Sequence, residues 1–380
     1  MKNRKTDGFI VCKFGGSSVA SAAGLKTAQN QTKKRNNVFF VFSAAGKSEN
    51  SPEKLTDLLI NFCENEGKKS CLPCIEKKLE DFFSVIYKLA FPNSEGEDDF
   101  VINQTRNAIK IITEKPVDFA YTVSRGEYIT AKAISEYIIK GIFIPAEQLF
   151  VFEKGNLNIE KTKNAFNQIN RGIKRPFVTS GFYGKDENGK ICLLPRGGGD
   201  LSGAVAAYCL NAEIYVNYTD VGGIKNAPPR YIKNAKTLKR IGYTNLKLLC
   251  SAGAGVFSKE AAEFVCNKKI KTVIKNSLKP DAKTTIEKKA EHTLKALTVY
   301  KEKFDNSNPS ANEKYILTFQ GKCFCGKRRM REIKSYLKNE FFYTPLIMQK
   351  KQNKLIIALF NENHAMLIAK KLYRDFIRHH

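Results

Sequence analysis

The sequence predicts an α/β fold with a mainly parallel central sheet, followed by a small α+β domain. Three observations predict it. Over the first 280 residues short apolar runs alternate with helical patterns, which is how strands joined by crossover helices read. Over 315–377 the order is strand, helix, strand, strand, helix. The chain has 380 residues, too long for one ordinary domain and enough for two. The expected domains are therefore 1–280 and 281–380. Between them the segment 278–312 is rich in Lys, Asn, Ser and Thr, contains Pro280 and Pro309, and reads as a connection.

Each element has its own signal. Phe9–Lys13 reads as a strand and Ala22–Arg35 as a helix with a basic last turn. Val38–Ser43 is an unbroken β-rich apolar run, hence a strand buried on both faces. Segments 53–65, 73–90 and 97–113 carry helical periodicity. Phe119–Val123 reads as a strand, followed by a helix from Glu127 to Ile139. Further strands are expected at 142–144, 177–180, 190–194, 213–219 and Thr272–Lys275, with a helix at 201–210. In the tail, strands at 295–300, 315–320, 344–349 and 354–359 combine with helices at 327–338 and 363–377. They build a four-stranded sheet with two helices on one face.

Composition removes several classes of function. A hydrophobic content of 42% excludes a mostly disordered chain. Ten Cys in 380 residues exclude a disulfide scaffold and fit free thiols in a reducing cytosol. The apolar stretch Phe9–Cys12 is too short for a signal segment, and no run approaches the ~18 residues of a membrane span. The net charge of +27 invites a nucleic-acid reading, but it is spread along the chain: residues 281–380 carry 21 basic and 10 acidic side chains, and the rest of the chain is basic too. The one compact cluster is Lys322, Lys327, Arg328, Arg329, Arg331 and Lys334. It lacks interleaved aromatics, so a solvated basic surface is preferred over an anion-binding patch, and no nucleic-acid or membrane partner is expected.

Four motifs can carry chemistry. Lys13-Phe14-Gly15-Gly16-Ser17-Ser18 joins a strand to a helix; its glycines admit close backbone approach to an anion, and its Lys can neutralise a phosphoryl group. It matches neither the Walker A pattern nor the dinucleotide fingerprint. Ser124-Arg125-Gly126-Glu127 is either a capping box or a site carboxylate for a substrate ammonium. Pro195-Arg196-Gly197-Gly198-Gly199-Asp200 offers a guanidinium fork for a carboxylate, with Asp200 as helix cap, catalytic group or both. Thr219-Asp220-Val221-Gly222-Gly223 follows a strand, where open α/β sheets place ligand contacts; the alternative is a plain Asp-Gly turn. Arg230 could reach a phosphate or be a surface charge. The pairs Cys71/Cys74 and Cys323/Cys325 lack the further ligands that zinc needs, so no protein-held metal is expected.

The order and spacing of KFGGSS, SAAGK at 43–47, SRGE at 124–127, RGGGD at 196–200 and YTDVGGI at 218–224 resemble the aspartate kinases of the amino-acid kinase superfamily. The likeness covers about residues 9–276, and the tail resembles one ACT module where family members usually carry two. The resemblance implies a three-layer amino-acid-kinase-like catalytic domain and an ACT-like regulatory domain. It implies a cytosolic homodimer that phosphorylates the side-chain carboxylate of L-aspartate with Mg²⁺ and ATP, the first step toward lysine, threonine and methionine, under an amino-acid effector. By the same resemblance Lys13 stabilises the phosphoryl group in flight, and Gly15, Gly16, Ser17 and Ser43 line the phosphate and substrate site. Thr56 lies near the aspartate, Glu127 holds its ammonium and Arg196 its α-carboxylate. Asp200 organises Lys13 and the metal, and Thr219, Asp220 and Arg230 contact the nucleotide. The family's Thr-Thr-x-Gly-Arg-Gly-Gly-Ser-Asp reads Cys192 to Asp200 here, its Asp-Pro-Arg reads Pro228-Pro229-Arg230, and Gly255 stands in place of a nucleotide-contacting Lys. The alternative is a degenerate homologue that binds amino acids as a regulator.

Overall fold

The computed structural model describes residues 8–35, 37–169, 172–195, 197–251, 255, 257–279, 282–288, 296–303, 313–320, 331–333, 335, 338, 348–351, 354–359 and 362–377. In chain order the elements are β1 (Ile10–Phe14), α1 (Gly16–Val19), α2 (Ala22–Lys34), β2 (Val38–Phe42), α3 (Leu55–Glu64), α4 (Leu72–Ala90), α5 (Glu97–Thr113), α6 (Phe119–Ala133), β3 (Ile142–Phe143), α7 (Ala146–Leu149), β4 (Phe152–Glu153), β5 (Asn156–Leu157), α8 (Ile159–Asn167), β6 (Phe177–Ser180), β7 (Tyr183–Lys185), β8 (Ile191–Leu193), α9 (Gly198–Cys209), β9 (Ile214–Thr219), β10 (Arg240–Ile241), α10 (Tyr243–Ser251), α11 (Lys259–Lys268), β11 (Thr272–Asn276), β12 (Lys283–Ile286), β13 (Ala296–Lys303), β14 (Glu313–Gln320), β15 (Met348–Lys351), β16 (Lys354–Leu359) and α12 (Glu362–Phe376). The chain divides into two compact units, 1–222 with 270–282, and 223–269 with 283–380.

Within the first unit six strands run parallel in the order β11-β9-β1-β2-β6-β3. The apolar sequence VFFVF makes β2 a central strand, and all five of its residues are buried. Strand register then builds an aromatic row across the sheet. Phe14 pairs with Phe42 on one side and with Tyr218 on the other. Its ring stacks on Tyr218 at 4.3 Å with planes 7° apart. Side chains alternate along a strand, so Lys13, one residue earlier, faces the opposite side of the sheet together with its register partner Asn217. That alternation places the site.

One expected strand is a helix. Residues 119–123 open α6, and Asp118 caps it by accepting a hydrogen bond from the Tyr121 amide at 2.8 Å. Ten of its fifteen residues are buried, Thr122, Ser124, Arg125, Glu127 and Thr130 among them, so burial here does not follow an apolar 3.6-residue period and the helix is not signalled. The shift removes the capping-box alternative for Ser124 and Glu127, because both now lie inside the helix. Ser124 Oγ instead donates to the Tyr121 carbonyl at 2.6 Å. The expected helix at 201–210 starts earlier, at Gly198, with Gly197 as its cap, which places Asp200 in the first turn rather than at the cap.

In the second unit β13-β14-β16-β15 form the antiparallel sheet expected of the tail, and α12 lies against β14 and β16. Its core joins Leu317, Ile357, Ile368 and Leu372 with Ala227 and Ile232. Residues 223–269, which the sequence reading placed with the first domain, thus group with this sheet. Of the expected helix at 327–338, residues 331–333, 335 and 338 are helical; Lys322, Lys327, Arg328, Arg329, Lys334, Cys323 and Cys325 lie outside the described residues. Among the described residues no cysteine is in a disulfide. Among those residues no helix is long and apolar enough to cross a membrane.

Candidate active site

The carboxyl ends of β1, β2 and β9 open into a cleft of about 860 Å³ in the first unit. Ten sequence-predicted residues line it: Lys13, Gly15, Gly16, Ser17, Ser43, Thr56, Glu127, Asp200, Thr219 and Asp220. Arg196 lies outside the described residues. Arg230 belongs to the second unit, where its guanidinium pairs with Glu362 at 3.0 Å.

At the centre Lys13 Nζ donates to Asp200 Oδ1 at 2.7 Å, and both side chains are largely buried. Asn217 Nδ2 donates to the same oxygen at 3.0 Å. The Tyr215 hydroxyl donates to the Asp200 carbonyl at 3.0 Å and ties the first turn of α9 to β9. The charge pair is therefore aimed from two strands and one helix, each a rigid element. Gly199 lets α9 come this close, because a Cβ there would sit 3.0 Å from Ser43 Oγ and 3.4 Å from Lys13 Cε.

Glu127 projects from α6 and is 6% exposed. The Ala44 amide hydrogen-bonds its carboxyl, while Oε2 has no hydrogen-bond partner among the described residues. Burial pushes the carboxyl up to about 8, against the opposing pull of the Ala44 amide and of Lys13. A buried acid with an unpartnered oxygen is suited to receiving a cation, which would draw it back to its ionised form.

The loop after β2 closes the cleft. Ala45 N donates to Thr130 Oγ1 at 3.2 Å, so Glu127 and Thr130, one turn apart on α6, both grip the loop. Gly46 N donates to the Gly16 carbonyl at 2.9 Å, and a Cβ on Gly46 would lie 2.5 Å from Gly16 C and 2.7 Å from Ser17 N. Gly46→Ala should therefore force two backbone segments apart. We expect a loss of about 1–3 kcal/mol in urea unfolding together with loss of activity; a variant of wild-type stability would show that the loop shifts freely.

Several lining or backing residues escaped the sequence reading, among them Lys54, Asp57, Ile60 and Phe119 on the cleft wall, and two of the others carry structure of their own. Asn217 is signalled only by being a polar residue inside IYVNYT, in register with Lys13. Phe182 lines the cleft with φ +74, a conformation rare for an aromatic residue. It is held there by a hydrogen bond between its amide and Ser202 Oγ at 3.0 Å, and by the Leu194 amide donating to its carbonyl at 2.7 Å. Nothing local in the sequence marks it.

Such a site can hold a phosphorylated anion against glycine backbone and the Lys13 ammonium, with Lys47 and Lys54 also on its wall and the Glu127 carboxyl available to a cationic ligand. Among the described residues no group of three or more His, Cys, Asp or Glu is placed to hold a metal ion. Asp200 and Asp220 fit Mg²⁺ only as partial ligands beside phosphate oxygens, the usual manner of that ion.

A parallel sheet that ends in a glycine-lined anion cleft is the architecture of a phosphoryl-transfer protein. Residues 8–276 match the model of the Amino acid kinase family, and the chain belongs to that family. It is similar to Aspartokinase 3 of Bacillus subtilis (strain 168), 28% identical over 291 residues, which are 72% of this chain and 62% of that protein. It is also similar to an aspartokinase of Bacillus sp. (strain MGA3), 31% identical over 287 residues, 74% of this chain and 58% of that protein. The chain thus spans about six-tenths of the length of the curated relatives it matches. Among solved structures it resembles the aspartate kinase of Clostridium acetobutylicum, with a TM-score of 0.76, 21% identity, and coverage of 97% of this chain and 100% of that one. It also resembles aspartokinase III of E. coli in complex with lysine and aspartate, with a TM-score of 0.72, 18% identity and the same coverage. These two structures bear out the expected α/β fold and its small antiparallel tail.

Proposed function

We propose that this chain is an aspartate kinase, transferring the γ-phosphoryl group of ATP to the side-chain carboxylate of L-aspartate. The observation that carries the reading is the Lys13–Asp200 pair at 2.7 Å in one cleft with the buried, partly unpartnered Glu127 carboxyl. The aspartokinase relatives support the choice of substrate.

In this reading Asp200 and Asn217 fix the direction of the Lys13 ammonium, which faces the charge on the transferring phosphoryl oxygens. Catalysis of this kind rests on positioning and charge neutralisation more than on a strong base. The backbone of Gly15 and Gly16, with Ser17 and Ser43, receives the phosphates. Thr219 and Asp220 meet the nucleotide, and Arg230 keeps, by resemblance to the family, the part of a phosphate contact. Glu127 takes the aspartate ammonium, Thr56 lies beside the substrate, and Arg196 takes the α-carboxylate. Asp200 would help to hold Mg²⁺, which would supply charge neutralisation for the phosphates. We assign catalysis to residues 1–280 and an ACT-like regulatory role, answering to an amino-acid effector, to 281–380. The assembly we propose is a cytosolic homodimer serving lysine, threonine and methionine synthesis.

The test is ATP- and aspartate-dependent acyl-phosphate formation, trapped as the hydroxamate with Mg²⁺ present. Product above an aspartate-free control is the expected result. A chain that binds aspartate but yields no hydroxamate would leave the regulator reading in its place.

A further inference from the structure

Behind the cleft the structure places a charge that this chemistry does not use. Lys78, on α4, is 2% exposed. Its ammonium donates to the Gly46 carbonyl and, at 3.4 Å, to the Ser51 carbonyl. Lysine is rarely buried so fully, because desolvating an ammonium is costly unless its donors are used. The burial lowers its pKa, and Asp81, one turn along the helix, opposes that shift.

The peptide that Lys78 grips is the one that meets the glycine loop. Gly46 donates through its amide to Gly16 and accepts through its carbonyl from Lys78. The two adjacent loop amides are held from α6, Ala44 by Glu127 and Ala45 by Thr130. The loop is therefore clamped from two helices, and through the Gly46 amide it also holds the anion-binding backbone at Gly16. We propose that Lys78 is a positioning residue of this site: it fixes the 44–47 loop in register against Gly16 and so presets the cleft for phosphoryl transfer, without touching substrate. The proposal rests on the kinase reading for its catalytic consequence and on the contacts alone for the clamp.

Lys78→Met keeps the length and removes the donors. Two readouts separate the clamp from the function. Deuterium uptake of peptides covering 43–51 should rise at least about tenfold in rate, while uptake in β1 and β2 stays at the wild-type level. In the hydroxamate assay, at a temperature where circular dichroism shows both proteins folded, kcat should fall about 10- to 100-fold, with KM for ATP changed less than threefold. Lys78→Gln, which keeps an N–H donor for Gly46, should fall between the two, and it serves as the test protein if Lys78→Met does not fold. Unchanged uptake at 43–51 overturns the clamp. Raised uptake with wild-type kcat overturns the positioning role. If the wild type forms no hydroxamate, the kinase reading falls, and the exchange rates alone decide whether the clamp stands.

Discussion

Replacing Lys13 with Ala should lower acyl-phosphate formation at saturating ATP and aspartate by a factor of at least about 10³ in kcat. The ammonium is the cation aimed into the cleft from the end of β1, and its direction is set by Asp200 at 2.7 Å. Two effects will mix in that single variant. It removes the charge facing the phosphoryl group, and it strips a nearly buried carboxylate of its ammonium partner. Breaking such a pair costs about 3 kcal/mol of stability. Asn217 still donates to Asp200 Oδ1 at 3.0 Å and offsets part of that loss. The double variant Lys13→Met with Asp200→Asn isolates the stability cost, because it leaves no orphaned charge. Urea unfolding should show the double variant more stable than Lys13→Ala, while the hydroxamate rate stays equally low. Activity that returns along with stability would mean Lys13 serves the fold rather than the transfer.

How much of this could be read beforehand depended on where each signal resides. The Val38–Phe42 strand was legible because a central parallel strand is apolar on both faces, and that is a local property. Lys13, Gly15, Gly16, Ser17 and Asp200 were legible because close approach to an anion demands glycine and glycine clusters are visible in sequence, whereas Ser43 and Thr56 came only from the family resemblance and Glu127 was open between a helix cap and a site carboxylate. Helix α6 was misread at its start because a helix buried nearly all round loses its 3.6-residue polar punctuation. Asn217 and Lys78 were invisible for another reason. Their roles depend on register and on a partner well separated along the chain, Asp200 for the one, 17 residues away, and Gly46 for the other, 32 residues away. Phe182 adds a third kind of silence, since its unusual φ is imposed by Ser202 and Leu194 and not by its own type. Thr219 and Asp220 line the cleft, whereas Arg230 bonds Glu362. Spacing along the chain places the first two and leaves the third to tertiary context.

Glu127→Gln should raise the aspartate KM about 10²-fold, roughly the ~3 kcal/mol of a charge-assisted hydrogen bond, with little change in the ATP KM. Both side chains occupy the same space, so packing is preserved and the charge alone is lost. The pH dependence gives an independent check, and its sign follows from burial. The Glu127 carboxyl ionises at about 8 in the folded chain against an ordinary value of 4.5. Between those values the folded state holds a proton that the unfolded state has released. Its stabilising effect is thus complete below pH ~4.5 and is lost as pH rises toward 8, at up to about 1.4 kcal/mol per unit. The amide of the Gln variant does not titrate, so its stability relative to wild type should increase between pH 5.0 and 7.5. Parallel urea-unfolding curves at the two pH values would show that Glu127 is ionised in the folded chain. Aspartate binding supplies the last sign. An ammonium at Oε2 lowers the carboxyl pKa, so at pH 7 wild-type binding should release up to about one proton. Titration calorimetry in two buffers of different ionisation enthalpy reads that release directly, and the Gln variant should show none. Equal binding heats in both buffers for the wild type would place the substrate ammonium away from Glu127 and leave the buried acid as part of the loop's support alone.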